Sequence, residues 1–494
     1  MTHHGRTTRN VVVAVAATLM LAVSALAQLD SEKVLYTFPA GRHGAVGATQ
    51  LVRDSAGNLY GTTFSGGNNS TSCKIYAGVA GCGVVFKLTP RAHGTWAETA
   101  LYTFTGGGDG AVPAGGVTLD SAGNLYGTTS FGGNTTSTHC VGSVANGNPP
   151  GCGVVFKLTP TAHGPWTETV LYTFTGGRDG GIPLVESVVL DSSGNVYGET
   201  FNGGDTTTDC FNPLGCGVAF KLTPAAEGPW TESVLYTFGG PTAGSLPVGG
   251  LTFDSRGNLY GVAYIGGDTS ASCFGDAGCG VVFKLAPTRR GPWNETILHA
   301  FTGGTDGSIP LLGLILDLHG NVYGSTIYGG DTIASNCLGG HGFGGPPGCG
   351  VVFKLTPAAH GHGPWAETVL YAFTGGSDGA FGGDPLVFDS AGNLYGVASS
   401  GGDLAGPCTF GDENNAGCGV VFKLTPAPMG PWTESVLHAF SGGADGGGPE
   451  SNLLLDPAGN IIGITEGGGN TSECTGNEEG ESGCGVIFEI QSGH

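Results

Sequence analysis

Three carboxylates, Glu186, Asp384 and Glu450, stand where the other copies of a repeated unit carry mostly Gly, Ala, Val or Leu. A pair of such groups can serve as acid and base on a glycosidic bond, and several together can hold Ca²⁺. The competing account is that they are solvated loop acids. Glu199 adds a further departure, replacing a Thr in the third unit. Five more acids, Asp109, Asp179, Asp306, Asp378 and Asp445, recur in a [TS]-G-G-x-D-G loop that two of the seven units lack. As ligands they would form a ring of oxygens for a cation or a sugar. As turn residues each would cap its own loop, because Asp before Gly accepts nearby backbone N–H groups. The near-identity of the five loops favours the turn. Histidine offers less: His93, His163 and His360 fall in one kind of turn, and His299 and His438 replace the Tyr of an LYTF run. No nucleophile–His–acid arrangement is readable, neither GxSxG nor HExxH occurs, and no Gly pair joins a strand to a helix as a phosphate loop would.

The elements that must position these residues come from repetition. The motif D-x-x-G-N-[LVI]-[YI]-G starts at Asp54, Asp120, Asp191, Asp254, Asp317, Asp389 and Asp456, at gaps of 63 to 72 residues. Variants of GVVFKL place Phe86, Phe156, Phe220, Phe283, Phe353, Phe422 and Phe488, and variants of VLYTF end at Phe38, Phe104, Phe174, Phe238, Phe301, Phe373 and Phe440. Each unit reads as four short strands with period-2 patterning. Strand a precedes the Asp, strand b is NLYGTT, strand c is GVVFKL and strand d is VLYTF. In strand d, Val170, Tyr172 and Phe174 are expected to share a face. The D-S-A-G-N connection suits an a–b hairpin with Gly in the left-handed position. With 97 Gly in 494 residues and no capped 3.6-period stretch, helix should be minimal.

Four strands in each of seven units predict an all-β chain, a seven-bladed β-propeller. The ends favour a ring over a linear stack. The chain opens on a d strand, Val34 to Phe38, with no a, b or c before it, and closes on a, b and c of the seventh unit. The N-terminal strand would complete the last blade and remove the open edges. Trp96, Trp166, Trp230, Trp293, Trp365 and Trp432 each sit in a c–d turn, six in number like the covalent c–d connections. In such a ring the b–c and d–a loops share one face, and the loop-bearing face is where a site is expected.

The 14 cysteines fall two per unit in the b–c connections. The pairs are Cys73 and Cys82, Cys140 and Cys152, Cys210 and Cys216, Cys273 and Cys279, Cys337 and Cys349, Cys408 and Cys418, and Cys474 and Cys484. No unit supplies four zinc-like ligands. An even count in an exported chain favours local disulfides. Export is expected from the start: Arg6 and Arg9, an apolar run from Val11 to Val23, then Ala25-Leu26-Ala27 as a cleavage signature. Residues 1–27 are read as a signal peptide and 28–494 as one propeller domain, secreted or periplasmic, with no membrane span and expected as a monomer. The mature chain would carry 15 basic and 39 acidic residues, −24. That balance excludes a phosphate-backbone footprint and so a nucleic-acid partner.

Tandem D-x-x-G-N-L-Y-G, GCGVVFKLTP and W-x-E-[TS]-VLYTF over essentially the whole mature chain resemble the GloVer (Gloeobacter/Verrucomicrobium) repeat proteins. The D-x-x-G-N-[LVI]-Y turn is more weakly similar to NHL-type and gluconolactonase-type propellers. The GloVer resemblance implies secretion or surface display and transfers no catalytic residue. The expectation is a non-catalytic extracellular binding or interaction module whose ligand is unidentified, a glycan or a protein. A carbohydrate-active hydrolase, lyase or lactonase with carboxylates at the axial mouth is the alternative. No cofactor is expected; Ca²⁺ is the one ion the acids could serve.

Overall fold

A computed structural model of the chain describes residues 31–39, 41–47, 50–68, 73, 79–137, 139–140, 149–162, 164–184, 187–206, 210, 214–225, 229–240, 242–270, 273, 277–289, 291–334, 337, 345–358, 364–408, 417–427, 430–470, 472, 474 and 483–492. The leader and Glu186 lie outside these residues. Seven antiparallel sheets form the blades of a β-propeller. In blade 2, for example, Thr118–Leu119, Leu125–Thr129, Val154–Thr159 and Thr167–Thr173 run from strand a to strand d. Among the described residues helix is limited to short 3-10 turns, such as Gly41–His43 and Ala92–Gly94.

Blade 7 takes its d strand from the chain start. Glu32–Thr37 pairs antiparallel with Val486–Ile490, which pairs with Ile461–Gly467. A belt of phenylalanines shows that the ring is shut. The Phe after each d strand meets the strand-c Phe of the next blade edge to face, from Phe38–Phe86 at 5.4 Å round to Phe440–Phe488 at 5.0 Å. All fourteen rings are buried, and such pairs add attraction beyond the area they bury. The belt explains the Gly of N-L-Y-G. A Cβ on Gly61 or Gly396 would stand 2.6–2.7 Å from the Cζ of Phe86 or Phe422.

Two local features differ from the alternating pattern. Strand d carries a β-bulge: Val170 pairs with Phe156 but Tyr172 with Val155. The extra residue turns Leu171 inward, so Leu171 and Phe174 are buried while Val170 and Tyr172 are half-buried. In the closing strand the anchors are likewise Leu35 and Phe38. Strand a is interrupted. Its outer end pairs over two residues, and its start meets strand b as a separate short strand or a lone bridge. At the break Val112, Ile182, Leu246, Ile309 and Phe381 have φ between 54° and 60°, a region that costs a residue other than Gly about 1–3 kcal/mol.

All fourteen cysteines form the seven local disulfides expected, with none left free. Cys73 is joined to Cys82, Cys140 to Cys152, Cys210 to Cys216 and Cys273 to Cys279. In the last three blades Cys337 is joined to Cys349, Cys408 to Cys418 and Cys474 to Cys484. The second Cys of a blade also receives the left-handed residue of the next. Val112 donates its N–H to the carbonyl of Cys82 at 2.9 Å, and Ile182, Leu246, Ile309 and Phe381 donate to those of Cys152, Cys216, Cys279 and Cys349. Gly448 does the same for Cys418. The staples therefore fix a carbonyl on which the next blade hangs.

Candidate functional site

The repeated acids are taken up by their own loops. Asp109 accepts the N–H of Thr105 at 2.8 Å, the Thr105 hydroxyl at 2.5 Å and the Tyr102 hydroxyl at 3.2 Å. Asp179 and Asp378 repeat this set. Asp306 accepts the N–H and hydroxyl of Thr302, and Asp445 those of Ser441, while His299 and His438 replace the Tyr and put Nε2 3.4 Å from the carboxylate. The Asp of each a–b hairpin is likewise taken up by its own turn, with Asp456 lacking only the Tyr bond because Ile462 stands there. Asp120 accepts two backbone N–H groups, the Asn124 amide and the Tyr126 hydroxyl. Burial raises the pKa of such an Asp, yet these bonds outweigh it and hold six of the seven hairpin acids below the usual range.

Two of the mouth acids stand on adjacent blades. Asp384 belongs to blade 6 and Glu450 to blade 7, while Glu199 lies in blade 3, nearly across the ring. Asp384 is 4% exposed, and its Oδ1 has no hydrogen-bond partner among the described residues. Burial pushes its pKa well above the usual carboxylate value, which sets it apart from a solvated rim acid. Glu199 is also buried, beside a cavity of about 10 Å³, room for about one water. Glu450 is half-buried. Among the described residues no group of three His, Cys, Asp or Glu side chains is arranged to hold a metal ion. Asp384→Asn should raise the melting temperature at pH 8 and change it least below the ordinary carboxylate value of 3.8, where the unfolded chain also holds the proton. A lower melting temperature at pH 8 would mean that a counter-charge holds Asp384 ionised.

Pattern reading missed two things. One is the Glu of W-x-E in strand d, which lies across each seam from the preceding blade. Glu168 stands near Asp109, Glu232 near Asp179 and Glu434 near Asp378, and burial, with the facing Asp, pushes each up to about 7. Where the loop Asp is missing, Glu295 accepts the Tyr236 hydroxyl at 2.8 Å and Glu98 pairs with His43.

The other is a cleft of about 650 Å³ on the hairpin face, between the a–b hairpins of blades 4 and 5 and the c–d turn of blade 5. It is lined by Arg256, Tyr260, Lys284, Leu318, His319 and Trp365, among others. Trp365 meets Tyr260 of the neighbouring blade edge-on at 6.3 Å, and Lys284 Nζ lies 5.7 Å from the centre of that ring. The same departure test that singled out the mouth acids, applied to the hairpin tips, would have found it. The two residues between Asp and Gly read Ser-Ala, Ser-Ala, Ser-Ser, Ser-Arg, Leu-His, Ser-Ala and Pro-Ala. Only blades 4 and 5, which border the cleft, carry ionisable tips.

The family profile described as the Gloeobacter/Verrucomicrobia repeat matches residues 76–338 and again 136–406. No curated protein matches the chain. Among solved structures the chain is similar to a protein of unknown function from Dyadobacter fermentans, at 9% identity over 93% of this chain and 98% of that one, TM-score 0.40. It is similar to a Trichoderma reesei protein of Carbohydrate-Active Enzymes Family AA12 at 13% identity, over 94% and 97%, TM-score 0.38. A gluconolactonase from Xanthomonas campestris matches at 12% identity, over 74% and 85%, TM-score 0.35. Likeness at this level carries nothing about chemistry.

Proposed function

The chain belongs to the Gloeobacter/Verrucomicrobia repeat family, and from that premise we propose that it is a secreted, non-catalytic binding module for an extracellular glycan. Residues 1–27 would direct export, and 28–494 would act as one propeller domain. Seven disulfides fit an oxidising compartment. Among the described residues no helix is long and apolar enough to cross a membrane.

One observation carries the reading: the side chains that could do acid–base work are engaged or buried, whereas the cleft presents half-exposed aromatic and exposed charged groups. The loop aspartates are held by their own Thr or Ser, with a Tyr or His beside them. Asp384 is sealed from solvent. A glycosidase needs two carboxyl groups flanking one bond, about 5–10 Å apart. A volume of a few hundred Å³ lined by aromatic residues and a few polar groups is instead typical of ligand recognition.

The test is a glycan array with the purified mature chain, alongside reducing-end and lactone-hydrolysis assays on every glycan retained. Binding without turnover is expected. Turnover abolished by Glu450→Gln or Glu199→Gln would overturn the reading and establish an enzyme working from the mouth.

A further inference from the structure

We propose that the cleft between blades 4 and 5 binds an acidic saccharide, one carrying uronate carboxylates, with Arg256 as the carboxylate partner and Trp365 as the platform for a sugar ring. The proposal rests on the binding-module reading and names the ligand class and the place.

Three observations lead to it. The first is position. The cleft forms at the one seam whose two bordering hairpins both carry an ionisable tip: Arg256 on one side, Leu318 and His319 on the other. Every a–b hairpin keeps the Asp, Gly and Asn that shape it, so these tip residues are not needed to make the turn. Leu318 is fully exposed and the His319 side chain is 86% exposed; neither contributes to a core.

The second is charge. The chain has a formal charge of −22, so an anion is repelled from most of the surface. Two carboxylates, Asp254 and Asp317, also line the cleft, but each is saturated by its own hairpin. Asp254 accepts from the backbone of Arg256 and Asn258, the Asn258 amide and the Tyr260 hydroxyl, and Asp317 accepts the equivalent four. Lys284 balances one of these charges from its place over Tyr260. The Arg256 guanidinium is exposed with no ion pair among the described residues. Guanidinium presents a planar fork that matches a carboxylate with two parallel hydrogen bonds.

The third is shape. Trp365 is pinned at its edge by Tyr260 and remains half-exposed, and Leu318 faces the same space. A rigid aromatic surface beside a polar rim suits a ring that has one apolar face and hydroxyls at its edge. An extended acidic peptide would use the charge but not the platform.

The test measures binding of a panel of galacturonate, mannuronate and glucuronate oligosaccharides by calorimetry, with methyl-esterified oligogalacturonate and oligoglutamate as comparisons. The parent protein should bind at least one uronate oligosaccharide. Esterification should weaken it roughly tenfold or more, and so should Arg256→Ala, the range for losing a charged hydrogen-bond partner. Trp365→Leu should weaken both acidic and esterified sugars, with its melting curve recorded to confirm the fold. Arg91→Ala, on the c–d turn of blade 1, should bind like the parent. Equal affinity for the ester, or loss equal in Arg91→Ala and Arg256→Ala, would overturn the acidic-saccharide assignment while leaving the binding module standing. Equal affinity for oligoglutamate would reduce the site to charge alone. No binding to any uronate, together with an empty glycan array, would defeat both.

Discussion

A chain begun at Pro39 should fail to close its ring, losing most of its stability and aggregating. Residues 31–38 supply the d strand of blade 7, and Leu35 and Phe38 are its buried anchors. Burying each such side chain is worth roughly 1.5–3 kcal/mol, and the strand's ladder bonds to Val486–Ile490 are lost with it. Net stabilities of folded proteins are only about 5–15 kcal/mol. The point variant Phe38→Ala isolates the seam. It removes the ring that meets Phe86 edge to face and should cost about 3–5 kcal/mol, the usual range for a buried Phe. Phe174→Ala makes the same change against Phe220 at a seam between blades 2 and 3 and should cost about as much. Urea melts and size exclusion of the four proteins provide the measurement. If the shortened chain melts and elutes like the parent, the terminal strand does not close the ring.

That closure was legible because it is written as an offset: a d strand with no unit before it and a unit with no d strand after it. The hairpins, the local disulfides and the strand assignments were legible for the same reason, since each depends on residues close together in the chain. Cys210 and Cys216 need only one short loop between them to meet. The bulge at Leu171 was not legible. Alternation of Val170, Tyr172 and Phe174 looks identical with or without an extra residue in the pair, and only the partner strand reveals it. The interruption of strand a was also hidden, because the left-handed residues there include Val112 and Ile309, types that ordinarily avoid that region. They are held by the carbonyls of Cys82 and Cys279 in the preceding blades, partners that no local pattern contains. The seam acids and the cleft share this cause. Glu168 meets Asp109, and Trp365 meets Tyr260, only after neighbouring blades dock. At the mouth, departure from consensus found Asp384 but not its state. A carboxylate at a strand start reads as a rim charge until its burial is known.

Stability should peak in mildly acidic solution and decline on both sides, because two sets of carboxyl groups work in opposite directions. The hairpin acids Asp54, Asp120, Asp191, Asp254, Asp317 and Asp389 lie below their ordinary value of 3.8 in the folded protein. Their contribution is present above that value and is lost as pH falls through the lowered one. The seam acids Glu168, Glu232 and Glu434 behave conversely. Their ordinary value of 4.5 is raised to about 7, first by burial and then by Asp109, Asp179 and Asp378 across the seam. The folded chain therefore binds their protons more tightly than the unfolded chain does. Their contribution is complete below 4.5 and is lost as pH climbs through 7. The two windows leave a maximum near pH 4–5, below the usual pH 5–8. Among the described residues no basic group offsets the paired acids at the seams of Glu168, Glu232 and Glu434, where Tyr102, Tyr172 and Tyr371 stand in the place that His299 and His438 take at two others. The triple variant Glu168→Gln, Glu232→Gln and Glu434→Gln should flatten the decline between pH 5 and 8, raising the melting temperature by a few degrees at pH 8 and hardly at pH 4.5. A control with three exposed loop acids neutralised, Asp403 among them, accounts for the change in net charge. If the parent melts highest at pH 7–8, or if triple variant and control decline in parallel, the seam carboxyl groups do not govern the profile.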